Sequence, residues 1–191
     1  MLSLSDNEFS VLNFLVRNFT ERLTIRNIAQ RLNFSSAGVF NILKKLEKQN
    51  IVVGEKLGTG LFYSINFENK IAEHLAAIVL LHSEEMSKIF EIFDHAQKSP
   101  ISDKIERINI EQLKQAKAAI FDRKTLLLVT DSVTILDISI PNVNVVAKTE
   151  DEIIALLRKK DPEILQLLKK SVVLFGEDKI VQIIKNCISR F

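Results

Sequence analysis

Residues 24–63 constrain the fold most, because three periodicities follow one another there without a gap. In TIRNIAQRL, Ile25, Ile28, Ala29 and Leu32 fall at i, i+3, i+4 and i+7, which puts them on one face of a helix. Asn33 and Phe34 break the pattern, Ser35 is suited to cap the next helix, and Val39, Leu43 and Leu46 give that helix its own apolar stripe. Ser36, Asn41, Lys44 and Lys45 lie off this stripe. The period then falls to two. IVVGEK and LFYSINF read as strands joined through LGTG, with Leu61, Tyr63, Ile65 and Phe67 alternating onto one face. The predicted order is helix, tight polar turn, helix, hairpin.

The flanking residues extend this unit in both directions. A first helix is expected over Asp6 to Asn18, capped by Ser5 or Asp6, with Phe9, Leu12, Val16 and Phe19 inward. After the hairpin, Glu68 to Gln97 carries Ile71, Leu75, Ile78, His82, Met86, Ile89 and Phe93 at steps of three and four, the pattern of a long connecting helix or a dimer seam. Lys98 to Ser102, with Pro100, breaks it. Beyond this, Asn109 with Gln112 predicts a helix to about Asp122, while TLLLVT, VTILDIS and VNVVAK read as strands. Thr149 and Glu152 form a capping box for EIIALLRKK, Asp161-Pro162 opens another helix, VVLF stopped by Gly176 is a strand, and Asp178 to Ser189 is a closing helix. The chain therefore divides into residues 1–67, a connecting helix over 68–98, and a small α/β domain over 99–191. The fold class is α+β.

At 191 residues and 47% hydrophobic, the chain can bury two modest cores. It has no run of about 18 uncharged apolar residues and no basic-then-apolar N-terminus, so no membrane association is expected and a cytoplasmic location is. The single Cys187, with no second cysteine to pair with, agrees with a reducing compartment and reads as a small core residue. Charge is unevenly divided. Residues 1–67 hold eight Lys or Arg against five acids, leaving 18 against 19 for the rest, so the mild positive excess sits on the helix-turn-helix side.

The segment LTIRNIAQRLNFSSAGVFNILKKLEKQNIVVGEK resembles the archaeal-type winged helix-turn-helix transcriptional regulators, which are common in archaea and bacteria. The resemblance implies a protein that binds double-stranded DNA as a homodimer, with residues 35–48 as recognition helix in the major groove and the hairpin as a wing on the flanking backbone. On that reading Ser35 caps the helix, Ser36 and Asn41 are placed to read bases, Lys44 and Lys45 to meet phosphate or guanine edges, and Lys56 and Thr59 to reach the backbone or minor groove from the wing. Tyr63 reads as core.

The last 45 or so residues, VNVVAKTEDEIIALLRKKDPEILQLLKKSVVLFGEDKIVQIIKN, resemble the end of the minimal nucleotidyltransferase domain. Active members of that family need a Gly-Ser turn to cradle phosphates and two acids a residue apart on a strand to hold Mg²⁺. This sequence has no Gly-Ser dipeptide, and its nearest acids, Asp131 and Asp137, are six residues apart. The expectation is a degenerate nucleotidyltransferase-like domain without catalysis. His74, His82 and His95 lie at spacings of eight and thirteen, unlike the i, i+4 pair of a helical zinc site. No catalytic residue, metal site or cofactor is therefore expected, and no small-molecule ligand is named. Two alternatives stand beside the regulator: a nucleotidyltransferase tethered to nucleic acid, and a winged-helix protein-interaction adaptor.

Overall fold

The computed structural model describes residues 4–81, 116–122, 124–132 and 142–188. The chain forms two compact units, residues 1–80 and 81–191.

The first unit opens with α1 (Asp6–Arg17), capped by Ser5, whose hydroxyl accepts from the Glu8 amide while the Glu8 carboxylate accepts from the Ser5 amide. Its buried face is Val11, Leu12, Leu15 and Val16, with Phe9 and Phe19 only half-buried, so the inward stripe is rotated from the expected one. Thr24 and Asn27 cap α2 (Ile25–Leu32) in the same reciprocal way. Asn33 ends that helix in the left-handed conformation, at φ 56°, which an asparagine tolerates better than most residues. This sharp stop lets Ser35 begin α3 (Ser36–Lys48), its hydroxyl accepting from the Gly38 amide at 3.0 Å.

Strands β1 (Val52–Leu57) and β2 (Gly60–Ile65) pair antiparallel around Gly58-Thr59, with Gly58 at φ 59°. The Tyr63 amide donates to the Leu23 carbonyl at 2.8 Å, adding a bridge from the α1–α2 connection to the hairpin. Tyr63, Ile65 and Phe67 are buried as the alternation predicts, whereas Leu61, next to the tip, is 39% exposed. Helix α4 (Lys70–Leu81) follows, and Asn66 and Asn69 both donate to the Asn50 carbonyl, tying its start to the end of α3. Its buried residues include Ala72, Leu75, Ala76 and Val79. Ile71 and Ile78, in the stripe read as a connecting helix or dimer seam, are 54% and 52% exposed. The rest of the expected long helix, from His82, lies outside the described residues.

The second unit is a four-stranded sheet in the order β5-β4-β3-β6, built from β3 (Ala118–Phe121), β4 (Thr125–Thr130), β5 (Asn144–Thr149) and β6 (Val172–Phe175). β4 and β5 are parallel, and the other two pairings are antiparallel. Helices α5 (Glu150–Arg158) and α6 (Pro162–Lys170) connect β5 to β6, and α7 (Glu177–Ile188) follows. Both predicted caps are present: Thr149 with Glu152, and Asp161 accepting from the Glu163 and Ile164 amides. The helix expected to run to about Asp122 is corrected at its end. Residues 118–121 are the strand β3, paired on both edges, where Ala118, Ala119 and Ile120 are buried on either face and Phe121 is half-buried. Asn109 and Gln112, VTILDIS and the Pro100 break lie outside the described residues.

Gly176 ends β6 at φ 75°, and a Cβ there would lie 2.6 Å from the Ala118 Cα and on the Lys117 carbonyl. Gly176→Ala should therefore destabilise the second unit by about 2–4 kcal/mol, the sum of left-handed strain and overpacking against backbone, as read by chemical denaturation.

Candidate nucleic-acid interface

The geometry of α3 follows from its buried face. Val39, Leu43 and Leu46 have no solvent exposure, so the helix is locked in rotation and Ser36, Ala37, Phe40, Asn41, Lys44 and Lys45 are left exposed. Ser36 and Asn41, placed for base reading by the sequence, stand on this outward side. Ser35 holds its expected place as cap. Lys56 and Thr59 are exposed on the hairpin, Thr59 in its two-residue tip. Tyr63 is core, with its hydroxyl buried.

The lysines have company that the sequence does not show. The Lys45 ammonium lies 2.6 Å from the Glu8 carboxylate, so a capping residue of α1 also anchors the last turn of α3. Burial pushes the Glu8 carboxyl up, but the hydrogen bonds from Lys45 and the Ser5 amide outweigh it and hold Glu8 below its ordinary value. Lys44 pairs with Glu47 at 2.7 Å across one helical turn, and that bond raises the lysine's pKa. Arg31 donates to Glu21 at 2.5 Å and to Asn18 at 2.9 Å, and lies 4.7 Å over the Phe14 ring. It joins α2 to α1. Arg22, Arg26, Lys48 and Lys56 are exposed and make no ion pair among the described residues.

The sequence patterns mark neither Phe40 nor Arg26. Phe40 is 44% exposed on the outward side of α3. The available signal is its spacing: position 40 is one residue past the stripe member Val39 and four past Ser36.

In the second unit, a cleft of about 360 Å³ lies between β4, β5 and the first turns of α6, walled by Thr125, Leu127, Val146, Lys148, Glu163 and Leu167 among others. Thr125 and Leu127 are the alternate β4 positions facing it, and neither is an acid. Asp131 is paired with Lys117 on the exposed end of β4, and Asp137 lies outside the described residues. Among the described residues, no three His, Cys, Asp or Glu side chains converge as a metal site would need. No helix there is long and apolar enough to cross a membrane.

Three helices, a left-handed stop between the second and third, and a paired hairpin define a winged helix-turn-helix unit. Residues 2–59 match the profile of the MarR family. Among solved structures, the chain is similar to the adhesin competence repressor AdcR of Streptococcus pyogenes: 24% identity over 59% of this chain and 84% of that one, TM-score 0.40. It is also similar to MepR, a transcription regulator of the Staphylococcus aureus multidrug efflux pump MepA, at 18% identity over 59% and 78%, TM-score 0.39. ZitR of Lactococcus lactis, in a cysteine-to-serine mutant form, matches at 19% identity over 60% and 75%, TM-score 0.41. No curated protein matches the sequence significantly.

The Glu8–Lys45 pair sets a pH dependence with a definite sign. Because the folded-state carboxyl sits below its ordinary value near 4.5, its contribution is present above that pH and is lost as acid takes pH down through the folded value. Lys45→Ala should cost about 1 kcal/mol at neutral pH by stranding a nearly enclosed carboxylate, and should make the first unit's stability less sensitive to acid, measured by urea denaturation between pH 3 and 7.

Proposed function

We propose that this protein is a sequence-specific DNA-binding transcription regulator that inserts α3 into the major groove and lays the β1–β2 wing on the flanking backbone. The observation that carries this reading is the outward side of α3: a helix fixed by its fully enclosed opposite face presents Ser36, Ala37, Phe40, Asn41 and Lys44 at the spacing of a groove-reading surface. The MarR-family match over residues 2–59 supports it. Asn41 reads a base edge, Lys44 and the wing's Lys56 and Thr59 meet the backbone, and Arg26 on α2 adds a phosphate contact. Lys45 serves mainly to hold α3 against α1.

The protein acts as a homodimer, since one such unit reads only a half-site and two-fold pairing supplies the remaining discrimination. Ile71 and Ile78, apolar and exposed on α4, are the described part of the seam. The second unit is a nucleotidyltransferase-like domain that has given up catalysis: the β4 positions facing its cleft are Thr125 and Leu127, where a metal-binding pair of carboxylates would have to stand.

Genomic footprinting of the tagged protein tests the function directly, and recovery of no preferred sites would overturn it. On a recovered site, Lys44→Ala and Lys56→Ala should each weaken binding and flatten the log-log salt dependence by about 0.9 for each phosphate no longer neutralised. Sedimentation equilibrium should show a dimer at micromolar concentration and a folded monomer for the Ile71→Glu/Ile78→Glu variant. A wild-type monomer would remove the dimeric part of the proposal.

A further inference from the structure

Phe40 is a large aromatic side chain on a surface that is otherwise small and polar. It is 44% exposed, and its exposed neighbours on α3 are Ser36 and Ala37 one turn earlier and Asn41 and Lys44 after it. Nothing in the fold requires it there. The core face of α3 is already complete with Val39, Leu43 and Leu46 at zero exposure, and burying Phe40 as well would turn that face outward. The neighbouring polar groups are committed or short: Lys44 is held by Glu47 at 2.7 Å, Ser36 carries one hydroxyl, and Ala37 carries none. The outward side therefore has one long hydrogen-bonding reader, Asn41, beside one apolar patch, Phe40 with Ala37.

In the major groove, the one apolar feature that distinguishes bases is the C5-methyl group of thymine, and an asparagine amide is matched by the N6 and N7 edge of adenine. We infer that Phe40 is a specificity-determining residue that reads a thymine methyl, so that the half-site recognised by α3 is centred on an A·T step. The inference rests on the DNA-binding reading above and adds to it the identity of the bases. Charge is not the basis of the discrimination, because the cation beside Phe40 and Asn41, Lys44, already has a carboxylate against it.

The experiment uses the full-length protein and duplexes selected from a randomised pool. Each thymine of the selected half-site is replaced in turn by deoxyuridine, which removes the methyl group and leaves base pairing intact. Wild-type protein should lose about fourfold in affinity at one thymine per half-site, the factor expected for exposing one buried apolar carbon, and little elsewhere. Phe40→Ala should bind the selected duplex more weakly and treat thymine and deoxyuridine alike, whereas Phe40→Leu should keep the preference. Because Phe40 lies outside the core, unchanged thermal unfolding of both variants is expected and guards against misfolding as the cause. If wild type binds a selected duplex but is indifferent to every deoxyuridine substitution, the inference is overturned while the DNA-binding reading stands. If Phe40→Ala instead dissociates the dimer with the methyl preference unaltered, Phe40 packs against protein and the inference fails. If no duplex is selected at all, both readings fall together.

Discussion

The enclosed face of α3 is the constraint on which the first unit depends. Val39, Leu43 and Leu46 are each without solvent exposure, and truncating one such leucine in a packed core costs about 2–5 kcal/mol. Rotating the helix to hide Phe40 would bring several of those costs at once. The outward residues are therefore fixed by the inward ones. The Glu8–Lys45 ion pair adds an electrostatic peg on the same helix, and the donations from Asn66 and Asn69 to the Asn50 carbonyl hold the end of α3 against the segment that follows the hairpin. Helix α3 and the hairpin are positioned by one core.

The second unit is organised around β3, the strand paired on both edges. On one side of the sheet Ala119, Leu126 and Leu128 gather with Phe121, Val145, Leu174 and Phe175. On the other, Leu127 and Val146 face Ile164 and Leu167 of α6 across the cleft. The Glu150 carboxylate accepts from Lys179 and, at 3.0 Å, from the Asn186 amide, so the first turn of α5 is tied to α7 along its length. Lys179 first and Asn186 next hold that carboxyl below its ordinary value, against the opposing effect of burial. A fold of this kind needs no catalytic residue to stand, since packing and chemistry are carried by different positions.

Local pattern makes much of this legible. Thr149 and Asp161 are caps where the spacing to Glu152 and the following proline says they should be, Ser5 is the cap of the Ser5 or Asp6 pair expected for α1, and TLLLVT and VVLF are strands. Where pattern and structure part, a non-local cause is identifiable. AAIF shows no alternation because both faces of β3 are covered, and such a run cannot be told from a helix end by periodicity. Periodicity puts Ile71, Leu75 and Ile78 in one stripe, yet within the described unit Leu75 is buried beside Ala72, Ala76 and Val79 while Ile71 and Ile78 stay exposed. The partner of Lys45 is Glu8, 37 positions away in the chain, a distance over which no spacing rule operates. Phe40 is silent in the sequence because an aromatic residue is assigned to a core by default, and only the burial of its neighbours shows that the core is already full.

If α3 reads DNA as proposed, the internal pairing of the cations in the first unit has a kinetic consequence. Lys45 sits on Glu8, Lys44 on Glu47 and Arg31 on Glu21, so a phosphate drawing any of them must compete with a carboxylate already in place. On the proposed DNA-binding reading, Lys44 must give up Glu47 to meet a phosphate, and the exposed cations with no such competitor among the described residues are Arg22, Arg26, Lys48 and Lys56, a small set. On the proposed function, residence on random sequence would be short under such a balance, because the electrostatic hold common to all DNA is what traps a protein away from its target. On that reading a chain built this way would trade adhesion for turnover during its search, and let the fit of side chain to base decide where it stays.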